Sequence, residues 1–263
     1  MMIRWSSVLL IFWLLCGSFA LFAQTHFTRL SVDDGLPNAS IYRIVQDKDG
    51  YIWLGSTNTG LLRYNGYELE AFDVLPASVS QNILVPDIDA LLMDGQGQLW
   101  IGSWGMGLSK VNTHTGQVSY YSASPDSALV LSSNYIQSLL LDKNGGLWIG
   151  TNKGLQLLHP DGTLEQIGAQ DSAQPLVHPR IWALAQTDDH SIWIATSEGL
   201  HRWTAEQGLS KPYQAFGPHS INNEMRTLYA HGNELWVGGR SSLFKFDPAS
   251  SEFTSVLFFD DAV

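Results

Sequence analysis

The chain has 263 residues, of which 44% are hydrophobic and 11% aromatic, so a sizeable folded core is affordable in length and composition and a disordered chain is excluded. Only 15% of the residues are charged, against roughly 25% in an average domain. The formal net charge is −11 and the 14 Lys and Arg are scattered, which argues against nucleic acid and against an anionic membrane surface as partners.

The N-terminal stretch MMIRWSSVLLIFWLLCGSFALFAQ has a single positive charge at Arg4, an apolar run from Val8 to Leu15, and small residues at Cys16, Gly17, Ser18 and Ala20. That is the pattern of a secretory signal, taken here as residues 1–23, with Ser18-x-Ala20 a better cleavage site than Leu21-x-Ala23. An uncleaved anchor is the alternative, because the apolar region stretches toward the ~18 residues that a membrane span needs. Cys16 follows Leu15, too large a residue for a lipoprotein signal, and it is the only cysteine, so an exported mature chain would fold without disulfides.

Beyond the signal, one phrase recurs five times. Trp53, Trp100, Trp148, Trp193 and Trp236 stand 47, 48, 45 and 43 residues apart, in YIWLGS, QLWIGS, GLWIGT, SIWIAT and ELWVGG. A leucine follows seven or eight residues later in each copy (Leu61, Leu108, Leu155, Leu200, Leu243). An apolar residue precedes the tryptophan by 12 in four copies (Ile41, Ile88, Ile136, Ile181) and by 11 in the fifth (Met225). The first unit reads as four short strands: SIYRIVQ, a KDG turn, YIWLGS, a TNTG loop, LLRYN, a turn at Gly66, and YELEAFDV. Asp-Gly and Asn-Gly between β-rich runs are hairpin signals. A second strand that is apolar on both sides suits burial between sheets. Four-stranded units of about 40–50 residues predict an all-β propeller, whose sheets cover one another's faces around an axis. The blades fall at about 38–75, 85–122, 133–168, 178–217 and 222–259. The later fourth strands are QVSYYSA, TLEQIGA, KPYQAFG and EFTSVLFF. No Trp-Asp dipeptide closes a blade, and a solenoid would have shorter units.

The phrase D-x-x-G-x-[LI]-W-[IL]-G-[ST]-x-x-G-L resembles the two-component regulator propeller repeat, and FTRLSVDDGLPNASIYRIVQDKDGYIWLGSTNTGLLRYNG resembles the usual opening of that family. The resemblance runs from about Phe27 to Phe258, with Gly239 and Ser242 departing from the pattern in the fifth unit. It implies a periplasmic sensor region followed by a membrane helix and a cytoplasmic histidine kinase or diguanylate cyclase, with seven blades in a ring. HFTRLSV, residues 26–32, reads as a spare outer strand that no present blade lacks, so the five blades are expected to be part of a larger ring. A long unpaired edge would otherwise invite aggregation.

Strand alternation puts the loop leading into each first strand and the loop between the second and third strands on one face, here called the lead-in face. The Asp-Gly turns lie on the other. Polar, variable loops mark a ligand-reading face. Its candidates are Asn38, Asp87, Asn134, Arg180 and Glu224 from the lead-in loops, and Ser56, Asn58, Trp104, Asn152, Glu198 and Arg240 from the second loops, beside Ser103, Thr151 and Thr196. Trp104 and Trp182 stand outside the repeated tryptophan position, placed either to stack on a sugar ring or nonpolar partner or to pack between blades. Tyr42, Asp89, Gln137, Trp182 and Arg226 all follow the first-strand anchor, a position that can face the axis, but they form no consistent catalytic set.

DKDG and DKNG lack the further acids of a calcium loop and read as turns. GSWGMG has no helix after it, and the eight histidines show no H-x-x-x-H pair. No catalytic residue, metal site or cofactor is therefore expected in this chain, and any enzymatic output belongs to a C-terminal part. The expected partner is a small molecule, such as an oligosaccharide, or a periplasmic protein. Nucleic acid is not expected. Membrane attachment is expected through a C-terminal helix, on the periplasmic side of the inner membrane, with binding biasing one arrangement of a homodimer. The alternatives are a secreted propeller enzyme or lectin, or a periplasmic protein-binding scaffold.

Overall fold

In a computed structural model of the chain, residues 29–36, 40–57, 59–72, 74–75, 87–217 and 220–258 are described. The signal segment and the candidates Asn38 and Asn58 lie outside them. The described residues form five four-stranded antiparallel sheets, one per repeat, each taken in sequence order. The blades are β1–β4 (Ile41–Gln46, Ile52–Ser56, Gly60–Tyr64, Leu69–Phe72), β5–β8 (Ile88–Met93, Gln98–Ser103, Gly107–Asn112, Val118–Tyr121) and β9–β12 (Ile136–Leu141, Leu147–Thr151, Gly154–Leu158, Leu164–Ile167). They continue as β13–β16 (Ile181–Gln186, Ile192–Thr196, Gly199–Thr204, Gly208–Leu209) and β17–β20 (Met225–His231, Glu234–Gly239, Ser242–Asp247, Glu252–Phe258). The first strands β1, β5, β9, β13 and β17 lie side by side in that order along the inside of the arc. Among the described residues, the strands of the first and fifth blades do not pack on each other as those of successive blades do. No helix among the described residues is long and apolar enough to cross a membrane.

The tryptophan phrase forms the joints between blades. In the first joint, Trp53 and Leu61 pack against Ile88, Leu99 and Ile101 of the next sheet. Trp148, Leu155 and Leu157 meet Ile181, Ile192 and Ile194 in the same way, and Trp193 meets Met225, Leu235, Val237 and Phe246. Each tryptophan removes about 200 Å² of mostly apolar surface from water, roughly 5 kcal/mol before entropy is subtracted. The glycine two residues on faces the same neighbour. A Cβ at Gly55, Gly102 or Gly150 would lie 2.6, 2.5 or 2.7 Å from Cγ2 of Ile88, Ile136 or Ile181. The fourth blade has Ala195 there, and the fifth supplies Met225 where the others supply isoleucine, a flexible side chain against the added methyl. Beyond the joints, Ile44 and Tyr42 on the first blade are 68% and 53% exposed, and Tyr229 on the fifth is 64% exposed.

The Asp-Gly turns carry a second device. Asp142 Oδ1 accepts the backbone N–H groups of Asn144 and Gly146 at 2.8 and 2.9 Å, and Oδ2 accepts the buried indole N–H of Trp148 at 2.8 Å. Asp47 makes the same three bonds, to Asp49, Tyr51 and Trp53. These acids cap turns and satisfy an indole donor that burial would otherwise orphan. In the fourth blade Thr187 takes the aspartate's place. Its hydroxyl accepts Trp193 Nε1 at 3.1 Å and donates to Asp189, which binds Arg202 at 2.8 Å. Burial raises the Asp189 carboxyl, but hydrogen bonds from Thr187 and Ser191 and the Arg202 charge outweigh it and leave it below its ordinary range. The third turn residue is left-handed in each case: Gly50, Gly97 and Gly145 at φ 91°, 79° and 85°, and His190 at 65°.

Two expectations need restating. KPYQAFG is not the fourth strand of its blade. The strand begins earlier, at Gly208–Leu209, and breaks at Lys211–Pro212 before Tyr213 bridges back to Leu200. Proline has no N–H to continue the ladder. Of residues 26–32, 26–28 lie outside the described residues, 29–31 are not in a strand, and Val32–Asp34 form a 3-10 turn.

Candidate functional site

On the lead-in face, backbone bonds join the two kinds of loop. Trp104 N–H donates to Asp87 O at 2.9 Å within the second blade, and Gly105 and Gly107 N–H donate across to Asn134 O of the third. Several sequence candidates are occupied by this framework. The buried Ser56 hydroxyl donates to Gly60 O, as do Ser103, Thr151 and Thr196 to Gly107, Gly154 and Gly199, at 2.8–2.9 Å. The Ser or Thr of the phrase thus closes the loop between the second and third strands. Asn134 Oδ1 accepts Ala123 N–H at 2.7 Å, and Asn152 Oδ1 accepts the Ser133 hydroxyl at 2.6 Å. Gln214 donates to the Glu198 carbonyl at 2.8 Å, and Glu198 is half-buried. Arg240 is exposed at the end of β18.

Trp104 is different. It is 45% exposed and meets Tyr135 of the next blade edge-on, ring centres 5.1 Å apart. The pair both bridges two blades and presents aromatic surface on the lead-in face, so the two uses weighed from the sequence coexist.

The inner strands supply a feature that sequence spacing only hinted at. Every one has a β-bulge immediately after its anchor: the pairing skips Tyr42, Asp89, Gln137, Trp182 and Arg226. A bulge re-aims the side chain of its extra residue. These five therefore escape the alternation that points their neighbours into the joints. Trp182 and Arg226 meet each other across two blades. Trp182 Nε1 donates to Ser197 Oγ at 2.9 Å, in the second loop of its own blade. The guanidinium carbons of Arg180 and of Arg226 lie 5.0 and 5.4 Å from its ring centre. Arg226 is paired with Glu224 at 3.2 Å. Asp89 is half-buried; burial pushes its carboxyl up, Arg43 of the preceding blade draws it back, and Asp87 adds to the rise. Gln137 is buried and its Oε1 has no hydrogen-bond partner among the described residues. No three metal-ligating side chains cluster among the described residues.

Sheets of four strands stacked through a repeated tryptophan, with their first strands lining the axis, define a β-propeller. The model of the two component regulator propeller family matches residues 35–58 and 130–153. No curated protein matches. The extracellular domain of the putative hybrid two component system BT3049 from B. thetaiotaomicron aligns with 24% identity over 88% of this chain and 32% of its own, with TM-score 0.74. The extracellular domain of BT4673 from the same organism aligns with 21% identity over 84% of this chain and 28% of its own, with TM-score 0.68. A virginiamycin B lyase from Staphylococcus aureus aligns with 13% identity over 86% of this chain and 73% of its own, with TM-score 0.65. The chain thus spans about a third of the length of the two extracellular domains. At these identities the likeness is one of fold.

Proposed function

We propose that this chain is an extracytoplasmic, ligand-reading propeller of a membrane signalling protein, with kinase or diguanylate cyclase output carried elsewhere. The observation that carries this reading is the two component regulator propeller match in the first and third units. The N-terminal signal pattern supports export. The lead-in face supports binding: the Trp104–Tyr135 pair leaves aromatic surface exposed there, 45% of Trp104 and 38% of Tyr135. An oligosaccharide fits exposed aromatics beside polar groups. Ligand binding changes output only through different affinity for two arrangements, and a homodimer attached to the membrane supplies two such arrangements. Calorimetric titration of the purified chain with a panel of neutral and acidic oligosaccharides tests the binding part. Saturable heat with at least one member, weakened about tenfold or more by Trp104→Ala, is expected. Heats equal to dilution across the panel would contradict it.

A further inference from the structure

Three joints satisfy the repeated indole and the second does not. Trp53 and Trp148 donate to Asp47 and Asp142 at 2.8 Å, and Trp193 donates to Thr187 at 3.1 Å. Asp94 stands at the same spacing before Trp100 and accepts the N–H groups of Gln96 and Gln98, both at 2.8 Å, but it receives no bond from the Trp100 indole. Trp100 is 7% exposed where the other three are fully buried. Among the described residues, the enclosed side-chain polar atoms without a partner are Arg63 Nε, Gln137 Oε1 and Ser138 Oγ, so the unpartnered Trp100 N–H is open to solvent. The cation opposite this indole is exceptional too. In the ladder between second and third strands, Arg63, Lys110, Arg202 and Lys245 face the tryptophans of the first, second, fourth and fifth blades. Arg63, Arg202 and Lys245 pair with Glu70, Asp189 and Glu234 at 2.6–2.8 Å. Lys110 has no carboxylate within ion-pair distance among the described residues, and its ammonium lies 4.9 Å from the Trp100 ring centre.

Trp100 and Lys110 line one cavity of about 740 Å³, together with Tyr121, Leu129, Leu147 and Leu158. It opens at the Asp-Gly turn end of the joint between the second and third blades, and its size is that of a small-molecule pocket. Tyr121 stacks on Trp100 with the ring planes 25° apart. We propose that this cavity binds a small monocarboxylate with a flat apolar body, its carboxylate accepting from Lys110 Nζ and Trp100 Nε1 and its body lying against the leucines. An ammonium and an indole N–H only donate, so the group that completes them is an acceptor, and the charge on Lys110 favours an anionic one. The leucine wall favours an apolar body over a hydrated one. Asp94 lines the same cavity and repels a second negative charge, which sets a monocarboxylate above a phosphate dianion. The site lies on the face opposite Trp104 and Tyr135, so it stands or falls apart from the lead-in face.

The test is calorimetric titration of the purified chain with three probes: phenylacetate, which has both features; 2-phenylethanol, which has only the ring; and acetate, which has only the charge. Phenylacetate is expected to bind with a Kd of about 1 mM or tighter, and the other two about tenfold or more weakly. Lys110→Gln and Trp100→Phe, which keeps an aromatic ring but removes the donor, are each expected to weaken phenylacetate about tenfold. Lys245→Gln removes the same charge at the same register of the fifth blade and is expected to leave the affinity unchanged. In nitrogen-15 spectra, phenylacetate should move the indole N–H resonance that is missing from Trp100→Phe, saturably and with the calorimetric Kd. Melting temperatures check that each variant is folded, and the half-buried Lys110 position keeps the test open if Trp100→Phe is not. No saturable heat with phenylacetate, or acetate binding as tightly, would overturn the site. Undiminished affinity in a folded Lys110→Gln would overturn it as well. Full affinity in a folded Trp100→Phe would leave that donor to water and overturn the two-point recognition. The sensor reading fails separately, on export of the chain.

Discussion

Replacing Asp142 by alanine isolates the device that repeats beneath the tryptophans. The carboxylate receives two turn N–H groups at 2.8 and 2.9 Å and the indole N–H of fully buried Trp148 at 2.8 Å. The Asn144 N–H is exposed and rehydrates when the acid is removed, but the Trp148 donor does not. An orphaned buried donor costs ~1–3 kcal/mol, and loss of a hydrogen bond to a charged acceptor at the buried Gly146 adds to it, so ~3 kcal/mol is expected in all. For a domain of this size that lowers the melting temperature by ~6–12 °C. Thermal unfolding followed by tryptophan fluorescence measures it. Trp148→Phe provides the companion variant, because phenylalanine has no donor to orphan. In that background the Asp142→Ala penalty should shrink by ~1–2 kcal/mol, read as coupling in a double-mutant cycle. A shift under ~2 °C for the single change, or no coupling in the cycle, would refute the reasoning.

Three further outcomes follow from the packing. Gly102→Ala places a methyl 2.5 Å from Ile136 Cγ2, an overpacking worth ~1–3 kcal/mol. Adding Ile136→Met should recover part of that loss, as the natural Ala195–Met225 joint does, and urea unfolding of the single and double variants decides it. His190→Gly removes a left-handed histidine at φ 65° where three other blades place glycine, and should raise stability by about 1 kcal/mol; an unchanged or lower melting temperature counts against it. His201 is buried, which lowers its pKa below 6.5, although its bond to Ser210 O works the other way. The unfolded chain then takes up a proton near pH 6.5 that the folded chain refuses, so the contribution is complete above that pH and is lost as pH falls below it. The loss is at most about 1.4 kcal/mol per pH unit, and His201→Gln should flatten the urea-midpoint profile between pH 7.5 and 5.5.

The blades were legible because one residue type marks each joint. Trp53 to Trp236 recur at blade spacing, and the glycine two residues on recurs because an isoleucine from the next blade fills its Cβ position. The aspartate six residues before the tryptophan, at Asp47, Asp94 and Asp142, was present in the same spacing and signals the turn cap; its bond to the indole at Trp53 and Trp148 needed coordinates. The fourth strand of the fourth blade was misplaced because YQAF has strand composition, while the ladder had already started at Gly208 and failed at Pro212. Polarity alone could not tell site from scaffold on the lead-in face. Ser56, Asn134 and Asn152 read as ligand groups by type, yet their side chains hold loops together. The bulges escaped because a skipped residue leaves hydrophobic spacing along one strand unchanged and shows only in its pairing with the next. Asp89, Gln137 and Trp182 could thus be flagged by position, while the surroundings that make Gln137 a buried acceptor came from the fold.

The account stands most directly on export of these blades. Alkaline phosphatase, active only outside the cytoplasm, and β-galactosidase, active only inside, can each be fused in frame after Val263 in a Gram-negative host. The account predicts phosphatase activity from the first fusion and none from the second. A silent phosphatase fusion beside an active β-galactosidase fusion, both expressed at full length, would place the propeller in the cytoplasm and contradict an extracytoplasmic sensor.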